Sequence, residues 1–309
     1  MKPEKENPRF VDFILADNTE SGAGGSKLLP HRIARYSEAR RKALLMHSFV
    51  HSNGYVNEAH KLSVCSSYLV FRNYYTVDDV RLYAASFCKK HLLCPMCAIR
   101  RGSKMLKAYL DKYEALRAEH PHLKPYLVTL TVKNGDDLAE RITHLRKALK
   151  AMTQARRSYL SGRGPFVEFV RSHGGFHSIE VTNRGEGWHP HVHMIWLCES
   201  EPSQKALSAH WLALTGDSYI VDTRPLHDPV EGFLEVCKYA LKFSDLSPAD
   251  NFHAYQVMSR QRLIDAHGLM RGVQVPENLL DEQLDDLPFI ELFYRYVKEE
   301  GYVQTDAAV

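Results

Sequence analysis

The chain has 309 residues, of which 44% are hydrophobic and 25% are charged, so it can bury a large core and has the composition of a soluble globular protein. The charged start Met1–Glu6 excludes a secretory signal, and no run of about 18 apolar residues is present to cross a membrane. Six cysteines, three of them within residues 88–97, do not fit a secreted disulfide framework. We therefore expect a cytoplasmic protein.

The net charge of +3 conceals an asymmetry between two parts of the chain. Residues 1–160 contain 28 Lys and Arg against 15 Asp and Glu, whereas residues 161–309 contain 12 against 22. The basic part predicts a polyanionic partner, and the acidic part predicts a cationic one such as a metal ion. Two solvated surfaces with compensating charges would give the same balance.

The first elements predicted along the chain are basic. Gly-rich residues 16–27 predict a flexible linker, and residues 31–47 carry basic side chains at mostly helical spacing, so residues 1–45 are predicted to form a flexible basic arm. Residues 46–118 are predicted to be a Cys-rich module that ends in a helix over about 98–117. This helix carries Arg100, Arg101, Lys104 and Lys107. We expect these four side chains to contact DNA phosphates, which supplies affinity without reading sequence.

The cysteines of this module indicate a metal site. Cys94 and Cys97 form a Cys-x-x-Cys pair, Cys88 precedes it, and either Cys65 or His91 supplies a fourth ligand. Thiolates at this spacing in a cytosolic protein predict a closed tetrahedral Zn²⁺ site. The alternative is a set of reduced thiols without a metal. A redox Cys-x-x-Cys is disfavoured, because no thioredoxin-like β-α-β pattern surrounds it.

Beyond residues 119–125, a predicted domain boundary, strands and helices alternate. Strands are predicted over 126–132, 176–182, 189–197 and 219–223, and helices over 136–160, 204–214 and 230–243. The order β-α-β-β-α-β-α, with a turn at 183–187 joining the middle two strands, predicts an α+β fold: an antiparallel sheet with helices on one face. This domain is predicted to span 119–250, and residues 251–309 are predicted to form an acidic helical extension.

The third of these predicted strands carries histidines at alternate positions. His189, His191 and His193 share one face, because side chains along a strand alternate between the two faces of a sheet. A single histidine is usually structural, whereas three imidazoles on one face more often bind a metal ion. The strand therefore predicts a metal site.

The hairpin that this strand forms with its predecessor adds a carboxylate. If Asn183 pairs with Trp188 across the turn, Glu180 lies opposite His191 on the histidine face. Two imidazoles and one carboxylate leave coordination positions open for a phosphate oxygen, as in a catalytic site. This mixed set of ligands is compatible with Mg²⁺ or Mn²⁺, and Mn²⁺ suits imidazole better.

The last predicted helix of this domain brings together three polar side chains. Glu235 and Tyr239 are four residues apart and Tyr239 and Lys242 are three apart, so all three share one helix face. A phenol with a pKa near 10 is a poor nucleophile, and a nearby ammonium or a metal-polarised phosphate would compensate. Spacing alone does not favour catalysis by this tyrosine.

Three motifs in order now make the chain recognisable. They are Leu127–Thr131, His189–His193 and Lys238–Lys242. With these motifs the sequence resembles the HUH endonuclease superfamily, specifically the rolling-circle replication initiators (Rep) of small bacterial plasmids, over about residues 60–245. The stretch from Cys65 to Phe71 resembles the corresponding part of that family, which favours Cys65 over His91 as the fourth zinc ligand.

The resemblance implies a reaction. His191 and His193 would bind the divalent metal, and Tyr239 would attack the scissile phosphodiester of single-stranded origin DNA to give a 5′-phosphotyrosine and a free 3′-OH primer. Glu235 would activate water to end replication by hydrolysis, and Lys242 would position the phosphate or balance its charge. An HUH-type sheet would form the nickase domain, and a host helicase and polymerase would be partners.

Other functions remain open. An HUH transposase or a conjugative relaxase would use the same chemistry on another substrate, although a relaxase usually carries its tyrosine before the histidines and Tyr239 follows them. From a different class, a non-catalytic zinc-dependent DNA-binding regulator would use the Cys module alone. A metallohydrolase unrelated to DNA would leave the tyrosine helix and the basic part without a role.

Overall fold

A computed structural model describes residues 25–238 and 243–305 of the chain. The helices are α1 (Gly25–Ser52), α2 (Val56–Val64), α3 (Pro95–Glu119), α4 (Leu138–Leu160), α5 (Gln204–Thr215), α6 (Pro229–Cys237) and α7 (Pro248–Met258). The strands are β1 (Tyr68–Tyr74), β2 (Asp79–Ala85), β3 (Lys124–Thr131), β4 (Gly174–Asn183), β5 (Trp188–Cys198), β6 (Val221–Pro225), β7 (Ile264–Gly268), β8 (Ile290–Val297) and β9 (Gly301–Thr305). They divide between two compact units, one formed by residues up to 105 and from 276 onward, the other by residues 106–275.

The first unit is built on an antiparallel sheet with the strand order β2-β1-β8-β9. Its central pair joins distant parts of the chain, with Phe71 of β1 opposite Leu292 of β8. Phe71 is fully buried, as is Tyr36 of α1. The Ser37 hydroxyl of α1 accepts a hydrogen bond from the backbone N–H of Tyr302 in β9. The helix and the late strands therefore share one core.

A charged cluster fastens the segment before β8 to the helices of this unit. The Asp281 carboxylate lies 2.7 Å from Arg32 and 2.5 Å from Arg100. Arg100 also donates to the Leu279 carbonyl and to the Tyr36 hydroxyl. Burial opposes ionisation of Asp281, but the two guanidinium groups outweigh it and hold its pKa well below the usual value.

Asp281→Asn is expected to lower the free energy of unfolding of this unit by about 3–5 kcal/mol at pH 7, because two buried cations lose their counter-charge. Since the folded pKa is depressed, the stabilisation is complete above the unfolded pKa of about 3.9, begins to fall below it, and disappears as the pH falls through the folded pKa. Urea unfolding of both proteins between pH 7 and pH 3 measures this. The exposed Asp285→Asn is the matched control. A difference between wild type and Asp281→Asn that persists unchanged at pH 3 would contradict the ionic explanation.

The second unit contains an antiparallel sheet with the strand order β6-β3-β5-β4-β7. α6 lies on the face that carries Phe176, whose ring is 5.1 Å from that of Phe233 in α6. α4 packs against the opposite face, where Met152 of α4 and Met194 of β5 line one cavity. The antiparallel α+β fold is therefore confirmed, but helices cover both faces of the sheet rather than one.

The structure corrects two of the predicted domain boundaries. α1 is continuous through residue 45, so the basic arm does not end there. The helix predicted over 98–117 is α3, and the boundary between the units falls within it rather than at its end. Because one continuous helix crosses this boundary, no linker with a composition of its own marks it in the sequence.

Residues 251–309 are not an acidic helical extension. Beyond α7, β7 joins the second sheet and β8 and β9 join the first. The run from Ile290 to Val297 is rich in β-branched and aromatic side chains, a composition that favours a strand once a partner is available. The acidic residues of this region lie largely in the connections, so net charge concealed the strands.

The basic surface predicted on α3 is only partly present. Arg100 is 1% exposed and serves the Asp281 cluster, and Lys104 is 8% exposed, so neither presents an open cation to DNA. Arg101 is half-buried, and the ammonium of half-exposed Lys107 pairs with Asp111 at 3.1 Å. In the described part of the chain, no helix is long and apolar enough to span a membrane.

Candidate active site

The hairpin of β4 and β5 brings the predicted metal ligands together. Asn183 pairs with Trp188 and Glu180 with His191, which confirms the predicted register. The Glu180 carboxylate lies 3.4 Å from Nε2 of His191 and 3.7 Å from Nε2 of His193. Ligand atoms about 2.1 Å from one ion are about 3.0–3.5 Å apart at octahedral or tetrahedral angles. The three ligand atoms lie within 4.8 Å of one another, close enough for a single divalent ion to draw them together.

Glu180 has the environment of a ligand rather than of a structural acid. Its side chain is fully buried, and neither carboxylate oxygen has a hydrogen-bond partner among the described residues. A buried carboxylate without donors is costly unless a cation compensates it. Both neighbouring imidazoles present Nε2 toward it.

Hydrogen bonds at the other ring nitrogen orient both imidazoles. Nδ1 of His193 lies 3.0 Å from the Thr129 hydroxyl of β3, and Nδ1 of His191 lies 3.3 Å from the carbonyl oxygen of His189. An Nδ1–H that donates to a carbonyl leaves the Nε2 lone pair of His191 for a metal. Such partners fix the ring and its tautomer.

His189 shares the histidine face but does not join the cluster. Its Nδ1 lies 2.6 Å from the Asn134 side-chain oxygen, and its ring packs beside that of His191. Burial, and then the neighbouring His191, lower the pKa of His189. The structure therefore groups two of the three predicted imidazoles with Glu180.

α6 places a second carboxylate beside this cluster. The helix begins at Pro229, with Asp228 as its N-cap, and Phe233 anchors it against Phe176 and Tyr113. Glu235 lies 3.8 Å from Nε2 of His193, and its other oxygen forms an ion pair with Lys238. The carboxylate thus lies beside the site, and it is also engaged by a lysine of its own helix turn.

The described part of α6 ends at Cys237, earlier than the predicted helix over 230–243. Tyr239 and Lys242 lie outside the described residues. Their place on one helix face with Glu235 therefore stays a prediction.

The four predicted zinc ligands form a second cluster, in the first unit. The Sγ atom of Cys65 lies 3.6 Å from those of Cys94 and Cys97, and Cys88 is 3.6 Å from Cys97. These separations exclude disulfides and are close to the ~3.8 Å between sulfurs of a tetrahedral Zn²⁺ site. Hydrogen bonds from the other three thiols hold the pKa of Cys65 well below its usual value.

His91 does not belong to this cluster. It lines a neighbouring cavity of about 240 Å³ together with Lys89 and Arg101. Burial, and then Arg101, lower the pKa of His91 to about 4. The structure thus brings together Cys65, rather than His91, with the other three thiols.

Comparison with known proteins places the chain among its relatives. Residues 79–304 match the model of a protein family described as Replication protein. The chain belongs to this replication-protein family. Its relatives called Protein rep include one from Bacillus amyloliquefaciens, 27% identical, covering 90% of this chain and 89% of the relative. Another from a Bacillus species is 26% identical, covering 75% and 85%. No solved structure matches the chain significantly.

The family confirms the resemblance to plasmid rolling-circle replication initiators that rested on the three motifs. The sequence of this initiator did not reveal the contributions of Thr129 and Asn134 to the site, whereas an ion pair between Glu235 and either Lys238 or Lys242 was the predicted alternative to a catalytic Glu235. Thr129 stands within the first motif, but its role depends on β3 pairing with β5, where it lies opposite His193. The alternation of side chains along β3 would have indicated which face of the sheet Thr129 occupies, but not that His193 lies opposite it.

Proposed function

We propose that this replication initiator nicks single-stranded origin DNA by metal-assisted attack of Tyr239 on a phosphodiester. The observation that carries the proposal is the buried Glu180 carboxylate, without hydrogen-bond donors among the described residues and faced by Nε2 of His191 and His193. A buried carboxylate in this setting needs a cation. α6 lies beside the cluster and contributes Glu235, the proposed general base.

The residues present fit a divalent metal with open positions. One carboxylate and two oriented imidazoles would hold Mn²⁺ or Mg²⁺. When bound, the metal would polarise a phosphate oxygen and neutralise charge that develops on it. Thr129 and the His189 carbonyl keep the imidazoles aimed at the same point, so the chain supplies a preorganised site.

Tyr239 is the proposed nucleophile because it stands in the third motif and directly follows Lys238 in the sequence, whose ammonium pairs with Glu235. Its phenol oxygen would form a bond to phosphorus while the bond to the 3′ oxygen of the preceding nucleotide breaks. The products are a 5′-phosphotyrosine and a 3′-OH primer. Lys242, in the same motif, would offset the phosphate charge.

Nicking of a labelled single-stranded origin oligonucleotide with added Mn²⁺ tests the proposal. We expect a shortened strand with a free 3′-OH and a protein–DNA adduct whose modified peptide contains Tyr239, identified by mass spectrometry. A non-catalytic zinc-dependent regulator would bind the oligonucleotide and leave it intact, and that result would overturn the proposal. If the protein instead cleaved and joined the ends of a mobile element, it would be an HUH transposase. If it cleaved the transferred strand of a conjugative plasmid, it would be a relaxase.

Glu235 is the proposed general base for termination. Glu235→Gln keeps the shape of the side chain but cannot accept a proton, so first-strand nicking should persist while hydrolytic release of the adduct falls roughly 10²-fold. The covalent adduct should then accumulate in a time course followed by denaturing gel electrophoresis.

Glu231→Gln is the matched control, because Glu231 is exposed in the first turn of the same helix. Equal adduct levels in Glu235→Gln and wild type would show that the Glu235–Lys238 ion pair is only structural.

The four-cysteine cluster is proposed to hold a structural Zn²⁺. Its separations and the burial of Cys65, Cys94 and Cys97 support a closed site. Cys94→Ser is expected to lower the zinc content from about one equivalent to near zero and to destabilise the first unit, since metal binding contributes folding free energy. Elemental analysis and thermal unfolding measure both.

Cys198→Ser is the control, because Cys198 is buried outside the cluster. Full zinc retention by Cys94→Ser would contradict the site.

DNA contacts by α3 remain a proposal for Arg101 and Lys107, which are less buried than Arg100 and Lys104. Phosphate contacts of this kind would weaken with salt and would not depend on sequence. A host helicase and polymerase are the proposed further partners, because a 3′-OH primer has to be extended and its template strand unwound.

A further inference from the structure

The second unit contains a cavity that the proposed nicking reaction does not use. It measures about 300 Å³ and lies between α4 and the strands β4, β5 and β7. His177 and Met194 line it, whereas their chain neighbours Ser178 and His193 face the other side of the sheet, because side chains alternate. The cavity is therefore on the face opposite the Glu180–His191–His193 cluster.

Three arginines border this cavity. Arg156 is held in place by the carbonyl oxygens of Phe169 and Ser172, at 3.2 and 2.8 Å, and Arg271 donates to the carbonyl of Ala266. Burial, and then the positive charge of Arg271, lower the pKa of Arg156. Neither these two nor Arg157 forms a salt bridge with a described residue. Arg271 acts on the pKa of Arg156, and Arg157 is exposed, so the border of the cavity carries positive charge.

The other titratable groups of the cavity do not cancel this charge. Asp265 is the acid that lines it, and its carboxylate is engaged by Arg262 at 3.2 Å and by its neighbour's backbone N–H. Burial is the main cause that lowers the pKa of His177 to about 4 and that of His267 to about 3, so both imidazoles are neutral at pH 7. Arg146 also disfavours the charged form of His177.

The rest of the lining is apolar and aromatic. Met152, Met194 and Phe169 are buried beside the arginines. A guanidinium cluster matches the geometry and charge of a phosphate group, and an apolar floor with a neutral imidazole matches a base. The volume lies at the lower end of the range of small-molecule sites.

We propose that this cavity binds a nucleotide, with its phosphate between Arg156, Arg157 and Arg271 and its base against Phe169, Met152 and Met194. A free nucleotide and one nucleotide of a DNA strand present the same groups. The chemistry that recognises them is therefore shared, and the experiment separates the two sources.

Isothermal titration of the full chain with deoxyadenosine monophosphate, without added divalent metal, tests the proposal. Deoxyadenosine, which lacks the phosphate, and the trinucleotide (dA)₃ serve as comparison ligands. We expect saturable binding of the monophosphate and binding of deoxyadenosine at least about tenfold weaker, because charge-assisted bonds to phosphate are lost.

Arg157→Gln combined with Arg271→Gln should weaken binding of the monophosphate at least about tenfold. These two side chains make fewer backbone contacts than Arg156, and thermal unfolding verifies that the double variant folds. Arg163→Gln, exposed beyond the end of α4, is the control for loss of an arginine, and His191→Ala is the control for the metal site. Both should bind like wild type.

Binding of (dA)₃ at least as tight as that of the monophosphate identifies the occupant as part of a strand, and preference for the monophosphate identifies a free nucleotide. The proposal is overturned if millimolar monophosphate does not bind, if the double variant binds like wild type, or if His191→Ala abolishes binding. Because the assay needs no cleavage, failure of the nickase proposal would leave its result intact.

Discussion

Replacing Tyr239 with phenylalanine is expected to abolish strand cleavage, with a fall of roughly 10³-fold or more in the nicking rate. The substitution removes only the phenol oxygen, which is the proposed nucleophile, so binding of the origin oligonucleotide should be unchanged. Single-turnover cleavage measured beside an electrophoretic mobility assay separates these two quantities.

Tyr219→Phe provides the matched control, because Tyr219 is 63% exposed in the same unit and lies outside the three motifs. It should cleave like wild type. Cleavage by Tyr239→Phe above a few per cent of the wild-type rate would place the nucleophile elsewhere in the chain.

Glu180→Gln is expected to have opposite effects on activity and on stability. Metal-dependent nicking should fall roughly 10²-fold or more, with a matching loss of Mn²⁺ affinity, because one charged ligand is removed. Without added divalent metal, the variant should be more stable than wild type by about 1–3 kcal/mol, since a buried carboxylate without donors is replaced by a neutral amide. Manganese titration and urea unfolding measure the two effects.

Glu186→Gln, at an exposed position of the turn between β4 and β5, should change neither quantity. If Glu180→Gln instead destabilised the protein and left manganese affinity intact, Glu180 would be a structural residue and the metal-site proposal would fail.

The β4–β5 hairpin could be predicted from the sequence because every determinant of it is local. Alternating side chains put the histidines on one face, and the short turn between Asn183 and Trp188 fixed the register that sets Glu180 opposite His191. The cysteine cluster could be predicted in the same way, because the close spacing of Cys88, Cys94 and Cys97 is enough to indicate a thiolate site.

Elements that depend on distant pairing could not be predicted in this way. β8 pairs with β1 across more than 200 residues, and no local pattern names its partner. The role of Arg100 could not be predicted for the same reason. A count of basic residues on α3 does not show that Arg100 forms a salt bridge with the distant Asp281. Glu235 combines both situations. Its helix could be predicted from the local sequence, whereas the contact between Glu235 and His193 depends on tertiary packing.

The interleaving of the two units along the chain also matters while the protein is being synthesised. Residues 106–275 have all been synthesised before β8 is translated. β1 and β2 are synthesised first and stay without β8, their later partner in the sheet, until then. At about 5–20 residues per second, translation from β1 to β8 takes roughly 10–40 s. During this interval one edge of β1 lacks its neighbour, and an open edge is a template for pairing with other chains. Nascent copies on the same messenger are thus exposed to one another before the first sheet closes.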